Sequence, residues 1–469
     1  MTLRTPSHAR PSSGQPPGAP SASPGSSARS AASAASGANP GPRRRIARTT
    51  PTRLRLLMIG LLLASLAWGA VGAWAVSQHA SAAQDVVSTS EPLSLSAQQM
   101  YRSLSDADVT ATAAFLSGPY EPLAARQRYA ADISQAATDL SALKNAAAAS
   151  SDPHLLASLS AVSTGLPVYA GDVSQAQTEY ALGYLLTGGS FMQVASEEMH
   201  LTLLPAARTI YTQENAGLTT ASARATGLPW IVVVLVLALA IAVVLYRAQR
   251  WLWRHTHRVV NYGLAGATAL LLACALWLIV AFAVARVDLN RGEGHGSVPA
   301  ETLAQAAIDT QQIRGDEILN LISRSGDTTF VQDYTKVRGQ LGPGPGTLLT
   351  DAIAASPSGS GAQWASAAAN DVQPWYAVNN QIYQLDSQSR YAAETALVTG
   401  TQPASSAIEF GKVETDVSRA IAADQVIFHA NATAGSNAFG GLEVAIIVAA
   451  ILMALGCVWG LSVRLAEYR

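Results

Sequence analysis

Four long apolar runs constrain this chain more than any other feature. They occupy residues 54–76, 228–246, 263–285 and 441–463, with no Asp, Glu, Lys or Arg at the centre of any run. About 20 residues of helix are needed to cross the hydrocarbon core of a bilayer, which is the length of each run. The sequence therefore predicts four transmembrane helices.

Charge is distributed unevenly around these runs. Residues 1–76 hold nine Arg and no acid, whereas segments 77–227 and 286–440 each carry an excess of seven acidic residues. Arg also fills residues 247–262 and follows the last run. Because basic residues are retained on the cytoplasmic side, we expect both termini and 247–262 to be cytoplasmic, in a multi-pass protein of the cell membrane. Segments 77–227 and 286–440 are then extracytoplasmic.

The remaining segments are short or of low complexity. Residues 1–53 are rich in Pro, Ser, Ala, Gly and Arg. Such a segment buries too little apolar surface to offset its ordering entropy, so we predict a disordered cytoplasmic tail. Residues 247–262 are predicted to form a basic cytoplasmic loop that faces anionic lipid, and residues 464–469 a cytoplasmic C-terminus.

The two halves of the chain resemble each other. The stretch from Asp108 to Gly118 aligns with Asp316 to Gly326 at an offset of 208 residues. Pro167 aligns with Pro374 at an offset of 207, and the Leu-x-Thr-Gly that ends at Gly188 has a counterpart ending at Gly400. The constant order indicates an internal duplication, in which each unit contains a span, an extracytoplasmic domain and a second span.

Both extracytoplasmic segments are predicted to be helical. Apolar residues recur at spacings of three and four, for example from Leu155 to Tyr180, which places one apolar stripe on each helix. Breaks near Gly118, Asp152 and Gly188-Gly189 divide the first segment into four helices. The predicted fold is an all-α membrane protein with two tandem four-helix bundles between four transmembrane helices.

No pattern of catalytic or phosphate-binding residues occurs in the sequence, and we expect neither an enzyme nor a cofactor. Glu197 and His200 share a helical face, and His255 and His257 lie between two arginines, but neither group favours a metal ion. No segment suggests nucleic-acid binding.

A helical domain between two spanning helices resembles the four-helix-bundle sensor domains of chemoreceptors and sensor kinases. Two such units behind an Arg-rich tail resemble the actinobacterial four-pass membrane protein of the glutamine/glutamate-sensing system. The resemblance covers residues 54–469 and lies mostly in topology. It implies a signal adaptor that connects an extracytoplasmic amino-acid-binding lipoprotein to a cytoplasmic serine/threonine kinase, kinase G.

On this hypothesis the cytoplasmic partner binds basic and aromatic side chains, because Arg pairs with carboxylates and Trp gives anchoring area. The candidate contacts are Arg43, Arg44, Arg45, Arg247, Arg250, Trp251, Trp253, Arg254 and Arg258. The alternative is that these residues only fix topology at the lipid surface.

Other functions and properties stay open at this point. A structural envelope protein and a transporter component are the rival functions. The sequence identifies no ligand residue and does not say whether the bundles bind a small molecule directly or through a partner. The small residues Gly456 and Gly460 are compatible with packing inside one chain or with a homo-oligomer.

Overall fold

The fold is described from a computed structural model. The structure describes residues 50–118, 122–148, 152–227, 229–256, 261–323, 328–355, 359–400 and 402–466. All regular secondary structure in these ranges is helical. The tail 1–49 lies outside them, so its predicted disorder stays a prediction.

The first half contains seven α-helices and two π-helical turns within the described ranges. In chain order they are α1 (Thr50–Asp85), π1 (Val86–Ser90), α2 (Glu91–Leu116), α3 (Leu123–Ala147), α4 (Pro153–Ala181), α5 (Leu185–Glu198), π2 (Met199–Leu203), α6 (Leu204–Thr226) and α7 (Pro229–Thr256). We call residues 77–227 the first head segment.

The described part of the second half contains eight α-helices and one π-helical turn. They are α8 (Tyr262–Gly292), π3 (Glu293–Ser297), α9 (Val298–Ser323), α10 (Thr328–Leu341), α11 (Leu348–Ala355), α12 (Ser360–Ser387), α13 (Tyr391–Thr399), α14 (Ser406–Asn437) and α15 (Leu442–Ala466). We call residues 286–440 the second head segment.

Four helices are long and apolar enough to cross a membrane, which supports the predicted all-α membrane fold. Two of them continue without interruption from a span into a head segment, over Arg55–Leu116 and Tyr262–Ile322. Near the other end of the second head segment, α14 is separated from α15 by a short turn in which Gly441 has a φ of +72°. At least two spans are therefore rigidly joined to the head.

The helix boundaries have local causes. The Asp152 carboxylate accepts the backbone N–H of His154 at 2.9 Å and so caps the start of α4. The break expected at Gly188-Gly189 was misplaced, because both glycines lie inside α5. The chain turns five residues earlier, at Gly183, whose φ of +91° is strained for any residue with a Cβ.

The two head segments share their buried cores. Ala304 and Ile308 of α9 pack into the core of the first head segment. Val109 of α2 packs with Ile318 and Ile382 of the second head segment. This interlocking buries apolar surface from both repeats together, so the head is one packed body.

Small residues bring the spans close together. A Cβ built on Gly263 would lie 2.8 Å from the Gly460 Cα, and Asn261 donates from Nδ2 to the Gly460 carbonyl at 2.7 Å. Gly456 also faces Gly263. Both glycines of the Gly456-x-x-x-Gly460 pattern therefore pack against α8 of the same chain.

Candidate functional site

A buried carboxylate organises the polar interior of the first head segment. Asp108 on α2 is 2% exposed. Its Oδ1 accepts hydrogen bonds from the Tyr169 hydroxyl at 3.3 Å and the Ser196 hydroxyl at 3.0 Å, while Oδ2 lies 3.2 Å from His200 Nε2. Three elements, α4, α5 and π2, thus contact one side chain of α2.

His200 is the most accessible member of this cluster. It lies in π2, and π-turns inside α-helices often mark functional sites. Burial works to lower the pKa of His200, but the hydrogen bond and charge of Asp108, together with the charge of Asp316, outweigh it and raise the pKa. The arrangement therefore favours the imidazolium form, with its side chain 28% exposed.

A cavity of about 220 Å³ opens beside His200 at the boundary of the two head segments. Tyr101 and Ser105 of α2 form one wall, Arg208 of α6 forms another, and Gln312 of α9 closes the third. Its hydrogen-bonding surface is therefore supplied by both repeats. We call this space the inter-repeat cavity.

The second head segment has its own buried polar cluster. Arg314 Nη1 of α9 donates to Glu317 Oε2 at 2.8 Å, and both side chains are at most 3% exposed. Ser406 donates to the same oxygen at 2.7 Å and accepts from Trp375 Nε1 at 3.0 Å. Arg314 also donates to the Val398 carbonyl at 3.0 Å. Burial nevertheless raises the pKa of Glu317.

Charged residues also join the two head segments. Arg128 of α3 donates to Glu414 of α14 at 2.8 Å, and Asp106 of α2 accepts from Gln311 of α9. Burial first, and then the charge of Glu414, raise the pKa of Asp106 to about 7 despite the nearby arginines. This carboxyl therefore titrates near neutrality at the contact between repeats.

Next to the spans, the two repeats carry matching π-turns. π1 and π3 start at Val86 and Glu293, an offset of 207 that equals the offset of the sequence repeat. A Cβ on Gly296 of π3 would lie 2.6 Å from the Phe428 backbone nitrogen, so α14 passes directly over this turn. Glu91, just after π1, bonds His429 Nδ1 of α14 at 3.1 Å. We call this region the membrane-proximal junction.

The residues predicted to contact a cytoplasmic partner lie away from these sites. Helix α7 extends through Thr256, so the segment expected to be a loop begins as helix. Arg247, Arg250, Trp253 and Arg254 are exposed on this extension, whereas Trp251 is partly buried against the core of the spans. Arg43, Arg44, Arg45 and Arg258 lie outside the described residues.

Sequence reasoning missed the inter-repeat cavity. Asp108 was noted only as part of the duplication, and His200 only as a weak candidate metal ligand. The two are 92 residues apart in the chain, so no local pattern joins them. The available signal was Asp108 on the face of α2 that carries Leu104, Ala107 and Ala111, because a carboxylate buried among apolar residues needs partners.

Comparison with known proteins finds similarity to a sensor domain within the first repeat. Residues 82–223 match the family model of the actinobacterial sensor domain. This stretch runs from the end of α1 to the end of α6 and includes Asp108, His200 and Arg208. No curated protein and no solved structure gave a significant match. The family match and the four membrane-capable helices together fit an actinobacterial membrane sensor.

Proposed function

We propose that this protein is a transmembrane signal adaptor in the cell membrane. Its head responds to an extracytoplasmic amino-acid signal, delivered by a solute-binding lipoprotein, and its cytoplasmic side contacts a serine/threonine kinase. The observation that carries the proposal is a sensor-family match that begins at the end of α1, within the continuous helix Arg55–Leu116. A domain attached in this way transmits any displacement directly to the span.

The charge distribution supports the orientation. Arg-rich segments flank the spans on one side, and the acidic head segments lie on the other. By the positive-inside rule the head is extracytoplasmic and both termini are cytoplasmic. The acidic head suits a partner with a basic surface. On the cytoplasmic side, the Arg-rich segments also contact anionic lipid.

The membrane-proximal junction supports the relay. A π-turn carries one extra residue, so its loss or shift changes the rotation of the helix that follows. Both repeats place such a turn between span and head, and α14 touches both regions through His429 and Phe428. A small change in the head therefore has a direct route to α1, α8 and α15.

Since we propose no catalysis by this chain, the cytoplasmic phosphorylation signal has to be produced by another protein. The helical extension of α7 presents Arg250, Trp253 and Arg254 to solvent. Arg offers a planar set of donors for carboxylates or phosphates, and Trp offers a large apolar contact. These three residues form the proposed kinase-binding surface of α7, and Arg43, Arg44 and Arg45 of the tail are further proposed kinase contacts.

The test replaces Arg250, Trp253 and Arg254 with Ala and follows cytoplasmic Ser/Thr phosphorylation after amino acids are added outside. We expect the response to be lost, with membrane insertion and lipoprotein binding unchanged. Trp251 is left intact because it packs against the spans. The control is Arg390→Ala, an exposed arginine of the head.

An unchanged response in the triple variant, and also after deletion of the tail up to residue 52, contradicts the adaptor. Altered envelope integrity without any phosphorylation change favours the structural alternative. Solute flux through reconstituted vesicles favours the transporter alternative.

A further inference from the structure

The inter-repeat cavity is small and is lined mainly by polar residues. Its volume of about 220 Å³ is below the range of drug-sized pockets, which begins at about 300 Å³. Tyr101, Ser105, Gln312, His200 and Arg208 all line it. The Arg208 guanidinium can only donate, whereas the hydroxyls and the amide can donate or accept, so a ligand with acceptor atoms is complementary to the cavity.

Arg208 differs from the other arginines of the head contacts. Arg314 and Arg128 each bond a carboxylate at 2.8 Å. Arg208 makes one long bond, from Nη2 to the Gln305 amide oxygen at 3.4 Å. Across the described ranges, no carboxylate lies within 4 Å of Arg208. Most of its guanidinium donors therefore have no protein acceptor in the described part of the chain.

The balance of charge sets the charge of that ligand. The imidazolium of His200 is matched by Asp108 at 3.2 Å. Asp316 acts on His200 from α9, and Asp309, whose pKa burial raises to about 6, interacts with the charge of Arg208. The positive charge of Arg208 is thus only partly balanced, and the neighbouring acidic groups repel a dianion.

We propose that the inter-repeat cavity binds a small molecule through a single carboxylate. Arg208 holds the carboxylate with two parallel N–H donors, the geometry that guanidinium and carboxylate share. Tyr101 and Gln312 hydrogen-bond the remainder, and His200, held in place by Asp108, closes the inner wall. The ligand contacts α2, α6 and α9 at once, so its binding tightens the contact between the repeats.

This binding does not depend on the proposed relay and is tested separately. The full-length protein in lipid nanodiscs is titrated by calorimetry with acetate, glycine, glutamine, glutamate and inorganic phosphate. We expect at least one carboxylate probe to bind. Arg208→Gln should weaken that binding at least tenfold, about 1.4 kcal/mol, and Arg208→Lys by less. The matched control is Arg224→Gln, an exposed arginine of the same helix outside the cavity.

Thermal unfolding of each variant establishes that the fold is intact, which we expect because Arg208 is exposed. Three results overturn the proposal. The first is that no carboxylate binds at about 10 mM, which corresponds to a binding free energy weaker than about −2.7 kcal/mol. The second is that phosphate alone binds. The third is that Arg208→Gln leaves the carboxylate binding unchanged. Loss of the phosphorylation response with intact binding would concern the relay and not this site.

Discussion

The two repeats bury polar residues at corresponding places but in different ways. In the first, Asp108 gathers neutral donors and His200, and the cluster borders a cavity. In the second, Arg314 and Glu317 form an ion pair with at most 3% of either side chain exposed. His200 of the first cluster is 28% exposed, whereas the ion pair of the second is at most 3% exposed, although Arg314 also lines a cavity with Asp106 and Arg128.

The two clusters are therefore suited to different roles. A sealed ion pair with hydrogen bonds from several elements fixes one arrangement of α9, α12 and α14. A cluster beside a cavity leaves room for a ligand to change the packing of α2, α6 and α9. The sensor-family match covers residues 82–223, the part of the chain that contains Asp108 and His200.

The largest loss of stability is expected when the buried ion pair between Arg314 and Glu317 is broken. Arg314→Met leaves the Glu317 carboxylate buried without its cation, which costs about 3–5 kcal/mol in comparable pairs. In the first repeat, Asp108→Asn keeps the side-chain shape and removes charge-assisted hydrogen bonds, so about 1–2 kcal/mol is expected. Thermal unfolding in nanodiscs measures both.

The matched control for Arg314→Met is Arg419→Met. Arg419 and Asp416 have the same i, i+3 spacing, but the Arg419 side chain is 55% exposed and the pair is 3.6 Å apart. Such surface pairs contribute about 1 kcal/mol or less. Equal losses for Arg314→Met and Asp108→Asn would remove the proposed distinction between the repeats.

A smaller change in stability is expected when pH alters the protonation of Asp106 at the contact between the repeats. The folded-state pKa of Asp106 is raised to about 7, above an ordinary value near 4. The folded state thus binds this proton more tightly than the unfolded chain, and its stabilisation is lost as pH rises from about 4 to 7. The raised pKa of His200 acts in the same direction, because its contribution is complete below about 6.5.

We therefore expect the head to be less stable at pH 8 than at pH 5. Asp106→Asn should flatten this dependence and stabilise the protein at pH 8 by at least about 1.4 kcal/mol, the equivalent of one pKa unit. Unfolding temperatures across this pH range measure the effect. A variant with the same pH dependence as the original protein would show that Asp106 is not the group responsible.

Local patterns in the sequence were enough to predict the helical framework. The lengths of the four apolar runs and the spacing of residues such as Leu155 and Tyr169 depend only on nearby residues, and both predictions agree with the helices. The break near Gly188 was misplaced because a glycine is tolerated inside a helix. Only the positive φ at Gly183 identifies the turn.

The site was not predictable in the same way. Arg128 and Glu414 are 286 residues apart, and Asp108 and His200 are 92 apart. Hydrophobic periodicity shows which face of a helix is buried but not which helix covers it. The two π-turns of the junction keep the offset of the duplication, yet their sequences, Val86–Ser90 and Glu293–Ser297, share little beyond a final serine.

The central claim is that movement of the head is transmitted to the spans at the membrane-proximal junction. Gln84 of α1 and Ser436 of α14 meet there, with Gln84 Oε1 3.2 Å from Ser436 Oγ. A cleavable thiol crosslinker can join Gln84→Cys to Ser436→Cys in a background of Cys274→Ala and Cys457→Ala. The measurement is the cytoplasmic phosphorylation response to external amino acids before and after crosslinking.

We predict that crosslinking abolishes the response and that reduction of the crosslinker restores it. Each single-cysteine variant, treated identically, should respond normally. A full response while the two helices are almost completely crosslinked would contradict the account.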